Sequence, residues 1–484
     1  MKVPKIKVPT RAEDSLFNLF AGQYEIFILE DGKTIAIHKK KKTKVLIEKN
    51  KICALLRKMY LIEKGQTISD TAVNTVYKSI LAIADNCREE ITSVNGLLQI
   101  GTKIVFDIQG TEKYVEITKD KVQIIDKKYS GLIFIEDKPN AHPIFPNLNV
   151  ISADYLELLK KVFGIIQNDV LFGVYLASLF IPNISHPLLI LSGEYGAAKT
   201  TFARMVAKIV NPQCGDVSPM PKSLDDIATV IYNSYYTAFD NLSYISRDIA
   251  DLLCLATTGG NYKKRKLYTD SDVSTMYLHN AISLNGLNLS FPYSDLMDRA
   301  IMFELPRISP GKRLSEEEVW NRFYSYLPDL QGCIFQLLSN AMRIYKNIKL
   351  SDTPRLADFS LWGYAVAEGI KPGLGNEFIR QYKDNTNRSL KVAAESNPLL
   401  NAISSLMTNI DYWEGSATEL LRVLEKEYYS STIANHLPRS FPTTANALSR
   451  KLNVLQNDLK VIGFTIDIGR NTKRYITITK NEEN

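Results

Sequence analysis

Apolar and polar positions change period several times along the 484 residues. They alternate singly at YEIFIL (24–29) and TIAI (34–37), with the turn EDGK (30–33) between, which predicts a β-hairpin. From Lys51 to Cys87 the spacing becomes helical in two pieces, with Ser69 and Asp70 capping the second. Alternation returns between Gly96 and Glu136 in LLQI, KIVFDIQ, KYVEIT, KVQIID and GLIFIE, a small antiparallel sheet. The proline-rich KPNAHPIFP (138–146) then reads as a linker.

Beyond it, strands and helices alternate. Helices are expected over 152–163 and 169–180; the second is apolar all round, too short to span a bilayer, and so a buried helix. HPLLILS (186–192) is a strand that runs into a glycine-rich turn and a helix. A helix at 223–232, a strand at 235–239, a helix at 249–256 and a break at Gly259-Gly260 follow. A hairpin is expected with arms 266–269 and 273–277 around the acidic tip Asp270-Ser-Asp272, then strands at 281–284 and 301–304. Such alternation predicts an α/β domain with a parallel sheet. Helices fill 315–348 and another opens at 354–359; the tail reads as three helices, including 416–429 and 443–459, then strands 465–468 and 475–478. The expected domains are an α+β accessory region over 1–145, divisible near residue 90, an α/β domain over 150–390, and a C-terminal domain over 397–484.

The chemistry concentrates at GEYGAAKTT (193–201). Gly193, Glu194, Tyr195, Gly196, Ala197, Ala198, Lys199 and Thr200 stand one residue from the phosphate-binding pattern G-x-x-x-x-G-K-[ST]. Backbone N–H groups and the helix N-terminus would face nucleotide phosphates, Lys199 would reach them, and Thr200 would ligate Mg²⁺. Ala198 replaces the pattern's last glycine, at a cost of about 1 kcal/mol if the backbone there is left-handed. Downstream, a strand ending in Asp240 is the usual acidic partner for the metal, followed by Asn241. Asn285 ends another buried strand and would position the attacking water. Arg299 is either a finger on a neighbouring subunit's γ-phosphate or the ion-pair partner of Asp295 or Asp298 in its own helix.

Basic residues gather in two further places. The first hairpin arm carries Lys263, Lys264, Arg265 and Lys266. Three helices and a hairpin with a basic connection form a winged-helix pattern, with Arg439, Arg450, Lys451, Arg470, Lys473 and Arg474 as phosphate contacts, although such modules also dock proteins. The lysine run at 38–44 could touch a phosphate backbone, but such a cluster after an edge strand is more often a solvated face. A net charge of +7 permits a polyanionic partner without requiring one. The five cysteines are scattered without metal-ligand spacing, so no structural zinc and no disulfide framework are expected. No signal-peptide core opens the chain, and a cytoplasmic protein without a membrane segment is expected.

Together, GEYGAAKTT, AFDNLS (238–243), TTGGNYKKRKLYTDSD (257–272), SLNG (283–286) and SDLMDRAIMFELP (294–306) resemble AAA+ ATPases of phages, plasmids and integrative elements. These belong with the superfamily 3 and MCM-like helicases. PRLADFSLW (354–362), the tail and VFDIQGTEKYVEIT extend the resemblance over most of the chain. It implies an AAA+ core with a C-terminal winged helix, ATP and Mg²⁺ as cofactors, and DNA as partner. It also implies a hexameric ring that translocates on or unwinds DNA during replication. Lys199 and Thr200 would serve phosphate and metal, Asp240 the metal, Asn285 as first sensor, and Arg299 as finger. Arg355 would be a second sensor, and Lys263 to Lys266 would belong to a pore hairpin. Asn241 departs from the family's water-activating glutamate, because an amide orients water but accepts no proton. The competing expectations are an ATP-switched initiator that does not unwind DNA, or a nucleotide-binding DNA-binding regulator with little hydrolysis.

Overall fold

The computed structural model describes residues 11–29, 34–40, 44–87, 90–91, 93–94, 96–130, 132–134, 143–164, 167–213, 215–265, 273–290, 293–408, 410–431, 436–438, 440–470 and 474–481. The chain divides into two compact units, one of residues 1–98, 105–115 and 124–141, the other of 99–104, 116–123 and 142–484.

In the smaller unit the predicted strands Tyr24–Leu29 and Thr34–His38 pair antiparallel, Tyr24 opposite His38. The turn expected at 30–33 lies outside the described residues, as do 41–43 of the lysine run. Helices Lys49–Lys64 and Asp70–Asp85 follow, and the Ser69 hydroxyl accepts from the Ala72 N–H as a cap should. A further helix, Ala12–Gln23, was not legible: it buries only Leu16 and Phe20, too few apolar positions to mark a stripe. Those two side chains join Leu56, Val76 and Ile80 in the core. Strands Leu97–Ile100, Lys103–Ile108, Lys113–Ile117 and Val122–Asp126 form a sheet in sequence order, but the fifth expected strand, GLIFIE, does not join it: Ile133–Phe134 pairs parallel with Ser93–Val94 instead.

The larger unit is built on a five-stranded sheet: β1 (Leu188–Ser192), β2 (Val217–Pro219), β3 (Tyr236–Tyr244), β4 (Ala281–Ser290) and β5 (Ala300–Glu304). Their order is β2-β3-β4-β1-β5 and every neighbouring pair is parallel. A parallel sheet is covered on both faces, so its strands read as continuous apolar runs; Leu188 to Leu191 are fully buried. Helix Asp169–Ser178 is buried at every position after Asp169, as its all-round apolar sequence requires. Ile190 of β1 stands opposite Leu284 of β4 and Met302 of β5. Two strands run on past their predicted ends, β3 beyond Asp240 to Tyr244 and β4 beyond Asn285 to Ser290.

Beyond the sheet, helix Glu316–Ile344 starts in a capping box made by Ser315 and Glu318, followed by helices Ala357–Ile370 and Leu374–Glu395. The C-terminal part has helices Pro398–Leu406, Ala417–Ser431, Ala445–Val454 and Gln456–Val461. The single helix expected over 443–459 is thus divided at Leu455. Strands Phe464–Arg470 and Arg474–Lys480 form the expected hairpin, and a third strand, Tyr412–Gly415, pairs with the latter. Leu420, Leu424, Leu448, Leu452, Leu459 and Ile478 are among the residues of its core. Among the described residues no helix is long and apolar enough to cross a membrane.

Candidate functional site

The strand order decides what meets at the carboxyl edge of the sheet. Because β4 lies between β1 and β3, Asn285 comes level with Leu191, and Asp240 follows Phe239, which is opposite Leu284. The turn 193–198, Asn285 and Asp240 therefore share one edge, where ligands bind in open α/β sheets.

The turn itself is strained and tightly backed. Gly193 has φ +142°, and a Cβ there would lie 2.4 Å from the Leu305 carbonyl oxygen, so only glycine fits. Ala198 adopts φ +56°, ψ +30°, the left-handed conformation the sequence left conditional. Helix Lys199–Val210 begins directly after it. The Lys199 ammonium donates to the Gly193 carbonyl at 2.8 Å and the Glu194 carbonyl at 2.9 Å. Its pKa is lowered by partial burial, with Asp240 opposing that shift. The Thr200 hydroxyl donates to Asp240 Oδ1 at 3.2 Å, joining the two residues expected to hold a metal. The Tyr195 side chain is 78% exposed, Glu194 is exposed and Thr201 is half-buried.

Asp240 Oδ1 also accepts the Asn241 N–H at 2.8 Å, and Asn241 is left-handed, φ +59°, at a register shift in β3. Asparagine tolerates that conformation better than most residues. Asn285 is 2% exposed and its Nδ2 has no hydrogen-bond partner among the described residues. A buried amide left without a partner costs free energy unless something supplies an acceptor. An anion or its attendant water at this edge would do so, and the loop amides, Lys199, Thr200 and Asp240 fit a nucleotide phosphate with Mg²⁺.

Arg299 lies at the other end of the sheet. Its carbonyl accepts the Leu188 N–H where β1 begins, and five residues of β5 separate it from the turn, about 17 Å at strand rise. Its guanidinium donates to Asp295 Oδ1 at 2.5 Å and to the Asp295 carbonyl at 2.7 Å, the ion pair the sequence offered as one alternative. Arg355, expected as a second sensor, lies here too, 3.1 Å from Asp295 Oδ1 and 2.9 Å from Asp298 Oδ2. Partial burial works to raise the Asp295 pKa, but the bond to Arg299 and both positive charges hold it below its ordinary value.

The basic arm is Gly260–Arg265, paired with Val273–Leu278. Successive side chains part company along it: Tyr262 Oη donates to Asp225 at 2.7 Å and Lys264 to Thr229 Oγ1 at 3.0 Å, both on helix Leu224–Tyr232, whereas Lys263 is exposed. The Arg265 side chain, all of Lys266 and the acidic tip lie outside the described residues. In the C-terminal part Arg450 is exposed, and Lys451 is half-buried with its pKa lowered by that burial. Arg470 and Arg474 are paired in backbone register across the hairpin, their side chains outside the described residues, as are Arg439 and Lys473 entirely.

One cation at the carboxyl edge escaped the sequence. Arg313 Nη2 lies 3.3 Å from where a Cβ on Gly196 would sit, above the turn. No local pattern marks it, because the contact exists only once β5 is placed beside β1.

The sequence matches two family models. Residues 155–371 match the actinomycete integrative conjugative element replication protein, and residues 399–484 match the C-terminal domain of that same protein. Together they span more than half of the chain, which therefore belongs to the replication proteins of integrative elements. No curated protein matches. Among solved structures, the chain is similar to an active helicase named SCCmec type IV Cch, with 13% identity, 95% of this chain and 93% of that one covered, and a TM-score of 0.47. It is also similar to the NrS-1 C-terminal region in its apo form, with 13% identity, 96% and 99% covered, and a TM-score of 0.40. These are loose likenesses, and the residues above carry the functional reading.

Proposed function

We propose that this replication protein is an AAA+ ATPase that assembles as a hexameric ring and couples ATP hydrolysis to movement on DNA. The observation that carries this is the carboxyl edge: Lys199, the Thr200–Asp240 pair and the orphaned Asn285 amide converge on one P-loop. ATP with Mg²⁺ supplies the hydrolysable phosphoanhydride there. Lys199 would exchange its two carbonyl partners for phosphate oxygens, Thr200 and Asp240 would hold the metal, and Asn285 would orient a water. Arg299 is too distant to reach the P-loop of its own chain, so its role as a finger requires a second copy whose site meets this edge. Lys263, on the exposed side of its arm, follows a phosphate backbone, and the C-terminal domain is read as a winged helix that grips duplex DNA through Arg450.

Asn241 favours a second reading, an ATP-switched initiator that assembles on DNA without unwinding it, since no carboxylate follows Asp240. ATPase rates with and without single-stranded DNA separate the two. A motor shows DNA-stimulated turnover that Lys199→Ala abolishes, while Asn241→Glu changes it only modestly. A parent protein that binds ATP and turns over only as Asn241→Glu is the initiator.

A further inference from the structure

We infer that Arg313 is a phosphate ligand in cis, reaching the terminal phosphate of the triphosphate bound by its own chain; this rests on the nucleotide-site reading above. The segment after β5 is strapped to the P-loop at both ends. The Leu305 N–H donates to the Ser192 carbonyl at 2.9 Å, and the Ile308 N–H to the Gly196 carbonyl at 3.3 Å. The Leu305 carbonyl fills the space that a side chain at residue 193 would need. At the far end, Ser315 and Glu318 fix the start of helix Glu316–Ile344 by a reciprocal cap. Arg313 stands two residues before that cap, and its guanidinium crosses back over Gly196.

Its charge is uncommitted. Arg299, Arg355, Arg204, Arg380 and Arg388 each lie against a carboxylate, whereas Arg313 has no ion pair among the described residues. A planar guanidinium held above a turn of backbone N–H groups is matched to a phosphate oxygen, which it can meet with two donors. Arg355 cannot fill this role in cis, because it is committed to Asp295 and Asp298 at the opposite end of the sheet.

The test measures ATP and ADP affinity by titration with a fluorescent nucleotide, on the full chain and on Arg313→Ala, Arg313→Lys and Lys199→Ala, with thermal midpoints recorded without nucleotide. Arg313→Ala should weaken ATP binding roughly tenfold, the worth of one charge-assisted contact, with a smaller effect on ADP and an unchanged midpoint. Arg313→Lys should recover part of the loss. Equal loss for ATP and ADP, or no loss for either while Lys199→Ala abolishes binding, overturns the assignment. If Lys199→Ala binds as well as the parent, it is the nucleotide-site reading itself that fails.

Discussion

The two ends of the parallel sheet hold their cations in opposite ways. At the carboxyl edge Lys199 rests on carbonyls of its own loop, and among the described residues Arg313 has no ion pair and the Asn285 amide nitrogen no partner. At the amino edge Arg299 and Arg355 are tied by Asp295 and Asp298, and the Arg299 side chain is only 12% exposed. One edge therefore waits for an anion, and the other already has its counter-charges. On the proposed reading, such a chain would bind nucleotide alone but would have to give up ion pairs before serving a neighbour.

The comparison breaks most visibly at Arg299. Arg299→Ala should lower DNA-stimulated turnover by roughly 10³-fold while leaving ATP affinity of the isolated chain unchanged, since the finger acts on another subunit's site. Steady-state kinetics beside equilibrium binding checks this, and a loss of affinity matching the loss of rate would place Arg299 in its own chain's site instead. A smaller effect is expected at Ala198. Because its φ is +56°, Ala198→Gly relieves left-handed strain and should raise stability by up to about 1 kcal/mol, read from denaturant midpoints. An unchanged or lowered midpoint would mean that the turn carries no such strain.

The smallest effect belongs to the amino edge and is pH-dependent. Burial raises the Asp458 pKa, opposed by a hydrogen bond from Ser294, the residue before Asp295. A raised carboxyl pKa means the folded state binds the proton more tightly than the unfolded state does. Stability is therefore fuller below the unfolded value and is lost as pH rises through the folded one. Asp458→Asn should accordingly raise the thermal midpoint at pH 7 by roughly 1–2 °C, a modest gain for a half-exposed group, and the gain should vanish near pH 3. A gain that persists at low pH would point to packing rather than charge.

Local signals made much of this legible. Single alternation marked the hairpin at 24–38, apolar runs marked β1 and β3, and the glycine-lysine-threonine spacing marked the turn, because each depends on residues close in sequence. What escaped depends on pairing across long separations. Strand Tyr412–Gly415 is four residues long and meets its partner over sixty residues later. The placement of Arg355 beside Arg299, and of Arg313 over Gly196, follows from which strands neighbour which, and no periodicity encodes that. The left-handed Asn241 lay between: asparagine after a strand is compatible with a bulge, yet β3 continuing through it to Tyr244 was not foreseen.

The basic arm has a mechanical consequence. Tyr262 and Lys264 pin Gly260–Arg265 at two points to helix Leu224–Tyr232, and burial together with Asp225 pushes the Tyr262 hydroxyl up to about 12, so that link stays protonated across the working range. An arm clamped twice cannot pivot on the helix beneath it. On the proposed motor reading it would act as a lever rigid with its base, and a shift of that helix would be carried to Lys263.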